Sequence, residues 1–68
     1  MITIMVPALN EELHLRDTIQ SIVRAAEINT VELNIIIVND GSTDNTYDII
    51  CELEREFSFV RSIHNKKN

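Results

Sequence analysis

Cysteine, glycine and proline occur once each in this 68-residue chain, tryptophan is absent, and the aromatics are two phenylalanines and one tyrosine. A single cysteine, Cys51, leaves no partner for an intrachain disulfide, and no Cys/His pair has the spacing of a structural zinc site. One glycine, Gly41, excludes the three-glycine dinucleotide fingerprint and also the phosphate loop, which needs two glycines and a Lys-Ser/Thr pair. No apolar run approaches the ~20 residues that span a bilayer. Met1 to Val6 has neither the basic region nor the apolar length of a secretory signal. Positive charge is also scarce: 6 basic residues face 11 acidic ones, for a net charge of −5. The only basic pair, Lys66-Lys67, stands at the very end, so no general nucleic-acid surface is expected. Together these absences fit a reducing, cytoplasmic setting.

What is present is a run of four β-branched residues, Ile35 to Val38, with no polar face. Such a run suits a strand covered on both sides, as in parallel sheets. Around it the pattern predicts strands over about 2–6, 33–38 and 59–64, and helices over about 11–27 and 44–57. Pro7 is expected to stop the first strand, since it cannot donate to a ladder. Asn10 reads as the N-cap of the first helix, with Glu11 and Glu12 at its positive end. Leu15, Ile19, Ile22, Val23 and Ala26 fall on one helical face, and Thr46, Ile49, Ile50, Leu53 and Phe57 on another. Asn29-Thr30 punctuates. Asn39 to Thr43 reads as a turn hinged on Gly41, and Ser42, Thr43 and Asp44 all qualify as caps for the second helix. Asp48, Glu52, Glu54 and Glu56 read as a solvated face, and Asn65 to Asn68 as a frayed polar tail.

The fold class expected is therefore α/β, a three-stranded parallel βαβαβ unit. A chain this short buries only about 60% of the surface its unfolded form exposes. Right-handed crossovers place both helices on one face of the sheet. The other face, with alternate members of Ile35 to Val38, then lies open. Burial patterning on both sides with helices for one implies a piece of a larger domain, or an oligomer that supplies the second layer.

In a parallel sheet the stretches Pro7-Ala8-Leu9-Asn10-Glu11-Glu12 and Asn39-Asp40-Gly41-Ser42-Thr43-Asp44 leave the same edge, where α/β sheets bind ligands. Carboxylates there can accept from a base N–H or ribose hydroxyls, and free amides at helix starts can meet an anion. The same residue types are also ordinary caps and turn formers. Chemistry alone leaves both readings standing.

The pair Val6-Pro-Ala-Leu-Asn-Glu-Glu12 and Ile37-Val-Asn-Asp-Gly-Ser-Thr-Asp-Asn-Thr46 resembles the start of a family 2 glycosyltransferase of the GT-A fold, closest to polyprenol-phosphate sugar transferases. The resemblance covers essentially the whole chain and implies an incomplete Rossmann-like half of a GT-A domain. It implies that Pro7, Ala8 and Leu9 line the base pocket of a UDP- or GDP-sugar and that Glu11 approaches the ribose or base. Asp40, beside Val38, matches the acid that contacts the nucleobase, with Gly41 and Ser42 holding its turn. Two departures stand out: Leu9 occupies a position that is often aromatic, and the usual acid pair is Asn39-Asp40. The family's divalent metal, Mg or Mn, is held by an Asp-x-Asp element that this sequence does not contain. No metal or catalytic residue is therefore assigned to the chain, and by itself it is expected to transfer no sugar. A whole enzyme of this kind can be membrane-associated.

Two other readings compete: a flavodoxin-like binding or regulatory module, and a structural piece that self-associates or aggregates through the open edge of strand one. Against the former, Glu11 and Glu12 lie behind a proline loop, and strand three ends without a phosphoacceptor aspartate. Cys51 reads as a packed thiol and His14 as a surface residue. His64 closes strand three near the ligand edge.

Overall fold

The computed structural model describes residues 1–66. Its elements are β1 (Ile2–Ala8), α1 (Leu15–Ile28), β2 (Leu33–Asp40), α2 (Thr46–Glu56) and β3 (Val60–Asn65). The strands form one parallel sheet in the order β1-β2-β3. The α/β class and the βαβαβ order are as the apolar periodicities require.

One face of the sheet carries the core. Val6 and Ala8 of β1, Ile35 and Ile37 of β2 and Val60 of β3 are buried against Leu15 and Ile19 of α1 and Ile50 and Leu53 of α2. Each of the Val, Leu and Ile side chains contributes about 1.5–3 kcal/mol relative to exposure. Arg16 of α1 bridges to α2, with Nη2 at 2.7 Å from Glu52 and Nη1 at 2.7 Å from Glu56. This contact shows that the helices lie side by side, and it takes two members of the acidic face out of the purely solvated class. All three groups are largely solvated, so the pairs add little to stability.

The opposite face is uncovered. Met5 is 62% exposed and Ile63 47%, while Ile36 and Val38 are half-buried only by their neighbours in the sheet. Register aligns Met5, Ile36 and Arg61 in one row and Pro7, Val38 and Ile63 in the next. The apolar run of β2 is therefore used on one side only.

Several boundaries differ from the sequence expectation, each for a local reason. Pro7 does not stop β1, which runs on to Ala8 with Pro7 paired to Val38. β1 is an edge strand, so an imino nitrogen is tolerated there. β2 continues through Asn39 and Asp40, leaving the turn to begin at Gly41, and β3 reaches Asn65. Asn10 does not cap α1. It adopts φ of 52°, and α1 begins at Leu15 after a turn in which His14 and Leu15 donate to the Glu11 carbonyl. Glu11 and Glu12 thus precede the helix, and Asp17 is the acid in its first turn. At the other end, the Thr30 N–H donates to the Glu27 carbonyl and the Val31 N–H to that of Ala26. This is the Schellman pattern, with Thr30 at φ of 55° in the place glycine usually takes. Asn65 belongs to β3; of the remaining polar tail, Lys67 and Asn68 lie outside the described residues.

A laced loop edge as the candidate functional site

The carboxyl ends of β1 and β2 deliver two loops to one edge of the sheet, and those loops are tied together by polar bonds. The Asn10 N–H donates to Ser42 Oγ at 3.0 Å, and Asn10 Oδ1 accepts the Thr43 N–H at 2.8 Å. The Glu11 N–H donates to Thr46 Oγ1 at 2.9 Å, and the Glu12 N–H reaches Asp44 Oδ2 at 3.4 Å. The Thr46 hydroxyl donates its own proton to Asp44 Oδ1, which also accepts the Thr46 N–H at 2.9 Å. The N-cap position of α2 is Asn45, which makes no side-chain cap, so none of the three candidates holds it; Asp44, one residue earlier, accepts the first helical N–H, that of Thr46.

Local conformation makes this possible. The left-handed backbone at Asn10 turns its amide and side chain toward the second loop, and asparagine tolerates that region better than most residues. Gly41, at φ of 79°, reverses the chain after Asp40 where a β-carbon would clash. Ser42 then fits under the reversal: its N–H donates to Asn39 Oδ1 at 3.1 Å, and its hydroxyl points at the Ala8 carbonyl at 3.5 Å.

The structure brings the sequence-predicted site residues to one edge but distributes them unevenly. Asp40 is exposed at the end of β2, on the uncovered side of the sheet, and takes no part in the lacing. Pro7 and Val38 are register partners on that same side, and Leu9 is 55% exposed just beyond. Ala8 differs: its methyl group is buried against the helices, so only its backbone reaches the edge. Glu11 is exposed above the Thr46 bond, and Gly41 and Ser42 form the hinge. Spare amides for an anion, expected at the helix starts, are not found at Asn10, Glu11, Glu12, Ser42, Thr43 or Thr46, because each is already donating. The site is therefore an open ledge with apolar side chains and the Asp40 carboxylate, which has no partner among the described residues. Larger concavities lie elsewhere, such as the 640 Å³ depression bordered by Asp17, Arg24 and Phe57.

Sequence reasoning missed three contributors. Thr46 sits at a stripe position and is fully buried, but its role is polar. Asn39, 5% exposed, points inward in phase with Ile35 and Ile37. Asn10 finds its partners in the second loop rather than in α1. A polar residue at an inward-facing position is the signal that singles out the first two.

The charges at this edge are tuned by the same bonds. The hydrogen bond from the Thr46 hydroxyl, followed by backbone donors, holds the Asp44 carboxyl below the usual aspartate range. A depressed native value stabilises the fold above the unfolded value and is lost as pH falls through the native one. Acidification below about pH 4 should thus loosen the lacing before the core. The Thr46 and Glu12 amide resonances report it, and simultaneous loss of every resonance in one transition would contradict it. Elsewhere on α2, the Tyr47 phenol is pushed up, first by the charge of the neighbouring Cys51 and then by a hydrogen bond with it.

No group of three or more His, Cys, Asp or Glu side chains suited to a metal comes together among the described residues. Asp44 is committed to Thr46 and the Glu12 N–H, and the carboxylates of Asp40, Glu11 and Glu12 do not gather into such a group. These residues do not by themselves fit a divalent cation. No helix among the described residues is long and apolar enough to cross a membrane.

The two motifs that carry the family resemblance thus lie side by side at one edge of the sheet, and comparison with known proteins decides the family. The profile of Glycosyl transferase family 2 matches residues 3–68. The chain belongs to this family. It is 44% identical over 54 residues to the UDP-N-acetylglucosamine–dolichyl-phosphate N-acetylglucosaminyltransferase of Methanococcus voltae, covering 79% of this chain and 20% of that protein. It is 34% identical over 65 residues to the probable glycosyltransferase YdaM of Bacillus subtilis, covering 96% of this chain and 15% of that protein. A poly-β-1,6-N-acetyl-D-glucosamine synthase from Staphylococcus epidermidis is 38% identical over 61 residues, covering 87% and 14%. The chain thus spans no more than 20% of the length of these relatives. As a family 2 glycosyltransferase sequence, it leaves the flavodoxin-like alternative without support.

Proposed function

We propose that this chain is the nucleotide-recognising segment of a glycosyltransferase that moves a sugar from a UDP- or GDP-linked donor to an acceptor. The observation that carries the reading is the exposed carboxylate of Asp40, without a partner among the described residues, on an edge whose loop amides are already donating. Uracil and guanine both present an N–H donor that a carboxylate can accept, and Leu9, Pro7 and Val38 offer apolar surface to a base plane. Glu11 stands where it can meet a ribose hydroxyl. Gly41 and Ser42 keep the turn that aims Asp40. The name of the Methanococcus voltae relative specifies a UDP-linked N-acetylglucosamine donor and a dolichyl-phosphate acceptor. UDP is accordingly the first nucleotide to test, and a polyprenol phosphate the acceptor class to test in a whole enzyme.

On this reading the chain binds and orients the base and carries out no group transfer. A divalent metal, Mg or Mn, would neutralise the leaving diphosphate in the whole enzyme and would take its ligands from residues outside this chain. Titration of the labelled chain with UDP and with GDP should move the amides of Ala8, Leu9, Glu11 and Asp40. Asp40→Ala should weaken the binding nucleotide about tenfold or more, since a hydrogen bond to a charged group is worth about 1.5–3 kcal/mol. Unmoved amides at all four positions would leave the edge as scaffold alone.

A further inference from the structure

The bonds beneath the Gly41 hinge do not end at Asn39. While its Oδ1 accepts the Ser42 N–H at 3.1 Å, its Nδ2 lies 3.1 Å from His64 Nδ1 across the β2–β3 register pair. On the far side of the ring, His64 Nε2 lies 2.9 Å from Ser62 Oγ, and that hydroxyl donates to Glu54 Oε2 at 2.9 Å. A continuous relay therefore runs from the turn, through β2 and β3, to α2. The Tyr47 ring packs on the imidazole with centroids 4.7 Å apart, which limits rotation of the ring.

The two ends of the relay dictate its polarity. A backbone N–H can only donate, so the amide oxygen of Asn39 faces Ser42 and the NH₂ group faces His64. That NH₂ can only donate in turn, so Nδ1 must carry a lone pair and the proton sits on Nε2. Nε2–H then donates to Ser62, whose hydroxyl proton is left for the Glu54 carboxylate. A single tautomer satisfies every group.

We propose that neutral His64 is a positioning residue for the nucleotide-recognising turn, and that its protonation releases Ser42. The effect on ligand rests on the nucleotide reading of Asp40, while the relay itself does not. In the imidazolium both ring nitrogens donate, so Nδ1–H would meet the Asn39 NH₂ group donor to donor. Rotating the amide offers Oδ1 to the cation in a charge-assisted bond, but turns NH₂ toward the Ser42 N–H. The turn loses the bond that holds it beneath Gly41. The groups facing the ring are Tyr47 and, through Ser62, the anionic Glu54 from α2, and Asn39 from β2. Among the described residues the relay therefore contains one anion, Glu54, and no second cation.

The test reads the labelled chain by imidazole and amide nuclear magnetic resonance as the pH is lowered from about 8 to about 5.5, a span over which a histidine side chain can change charge. At the upper end His64 should show the Nε2–H tautomer. As pH falls, the Ser42 amide should shift with the same midpoint as the imidazole. UDP affinity should decline about five- to tenfold with it, the scale of one lost neutral hydrogen bond. In Asn39→Asp a carboxylate can accept from Ser42 and from the imidazolium together, so the Ser42 shift and the affinity should stay level over the same range. His64→Ala should also abolish the pH dependence, and it keeps the test available if the buried carboxylate prevents folding. An Nδ1–H tautomer at about pH 8, or a Ser42 amide that ignores His64 titration in the unmodified chain, overturns the relay. If UDP fails to bind at either pH, the nucleotide reading falls, while tautomer and amide still decide the relay. If UDP binds equally at both with Ser42 unmoved, the relay falls and the nucleotide reading stands.

Discussion

Thr46→Val should destabilise the chain by about 1–3 kcal/mol, because the part-buried bonds of its hydroxyl to the Glu11 N–H and the Asp44 carboxylate are both lost. Valine matches threonine in shape, so no cavity opens and packing against Ile50 and Leu53 is retained. What is lost is the hydroxyl that accepts the Glu11 N–H and donates to Asp44. Because Thr46 is fully buried, no water replaces it without rearrangement of the loop. The Glu11 amide should exchange faster with solvent, and the Asp44 carboxyl should lose the main influence that holds it low. Urea unfolding measures the cost as a lower midpoint at an unchanged slope. Thr46→Ser, which keeps the hydroxyl, should leave the Glu11 amide protected. A Thr46→Val chain as stable as the original, with that amide still protected, would mean the two loops are held by other contacts.

Ile37→Ala should cost about 2–5 kcal/mol. The side chain is fully buried at the centre of β2, between the strand pairings and both helices. At about 0.05–0.15 kcal/mol per residue, a chain of this length has roughly 3–10 kcal/mol of stability to lose. The substituted chain should therefore be substantially unfolded at 37 °C, seen as loss of far-ultraviolet circular dichroism. The adjacent Ile36→Ala is the informative control. Ile36 faces the uncovered side of the sheet beside Met5, and its loss should cost less than half as much. Equal costs for the two substitutions would show that a further layer of protein covers the second face in solution.

Much of this contrast was legible in advance. Four successive β-branched residues specify a central strand whichever way its faces are used, and two helical stripes specify where the helices pack. With right-handed crossovers, three parallel strands and two helices leave one face bare, so the open side of Ile36 and Val38 followed from element order alone. The motif pair around Pro7 and Asp40 carried the family by resemblance, and the parallel sheet explains only why both loops leave the same edge. Boundaries were less accessible. Pro7 looks like a terminator unless its strand is known to be an edge, and Asn10 looks like a cap unless its backbone is known to be left-handed.

Local chemistry was enough for the order β-α-β-α-β, the inward stripes and the glycine hinge at Gly41, while the family followed from the resemblance of two motifs. Tertiary structure alone decided what the polar residues at the edge do. Asn10, Asp44 and Thr46 meet partners more than thirty positions away, and Asn39 meets His64 across the sheet. Side chain-to-backbone bonds over such separations depend on how two loops approach each other. No periodicity encodes that approach, because a good cap and a good cross-loop partner are the same residue types. Only the fold shows that Asp44 is consumed in lacing the loops while Asp40 has no partner among the described residues.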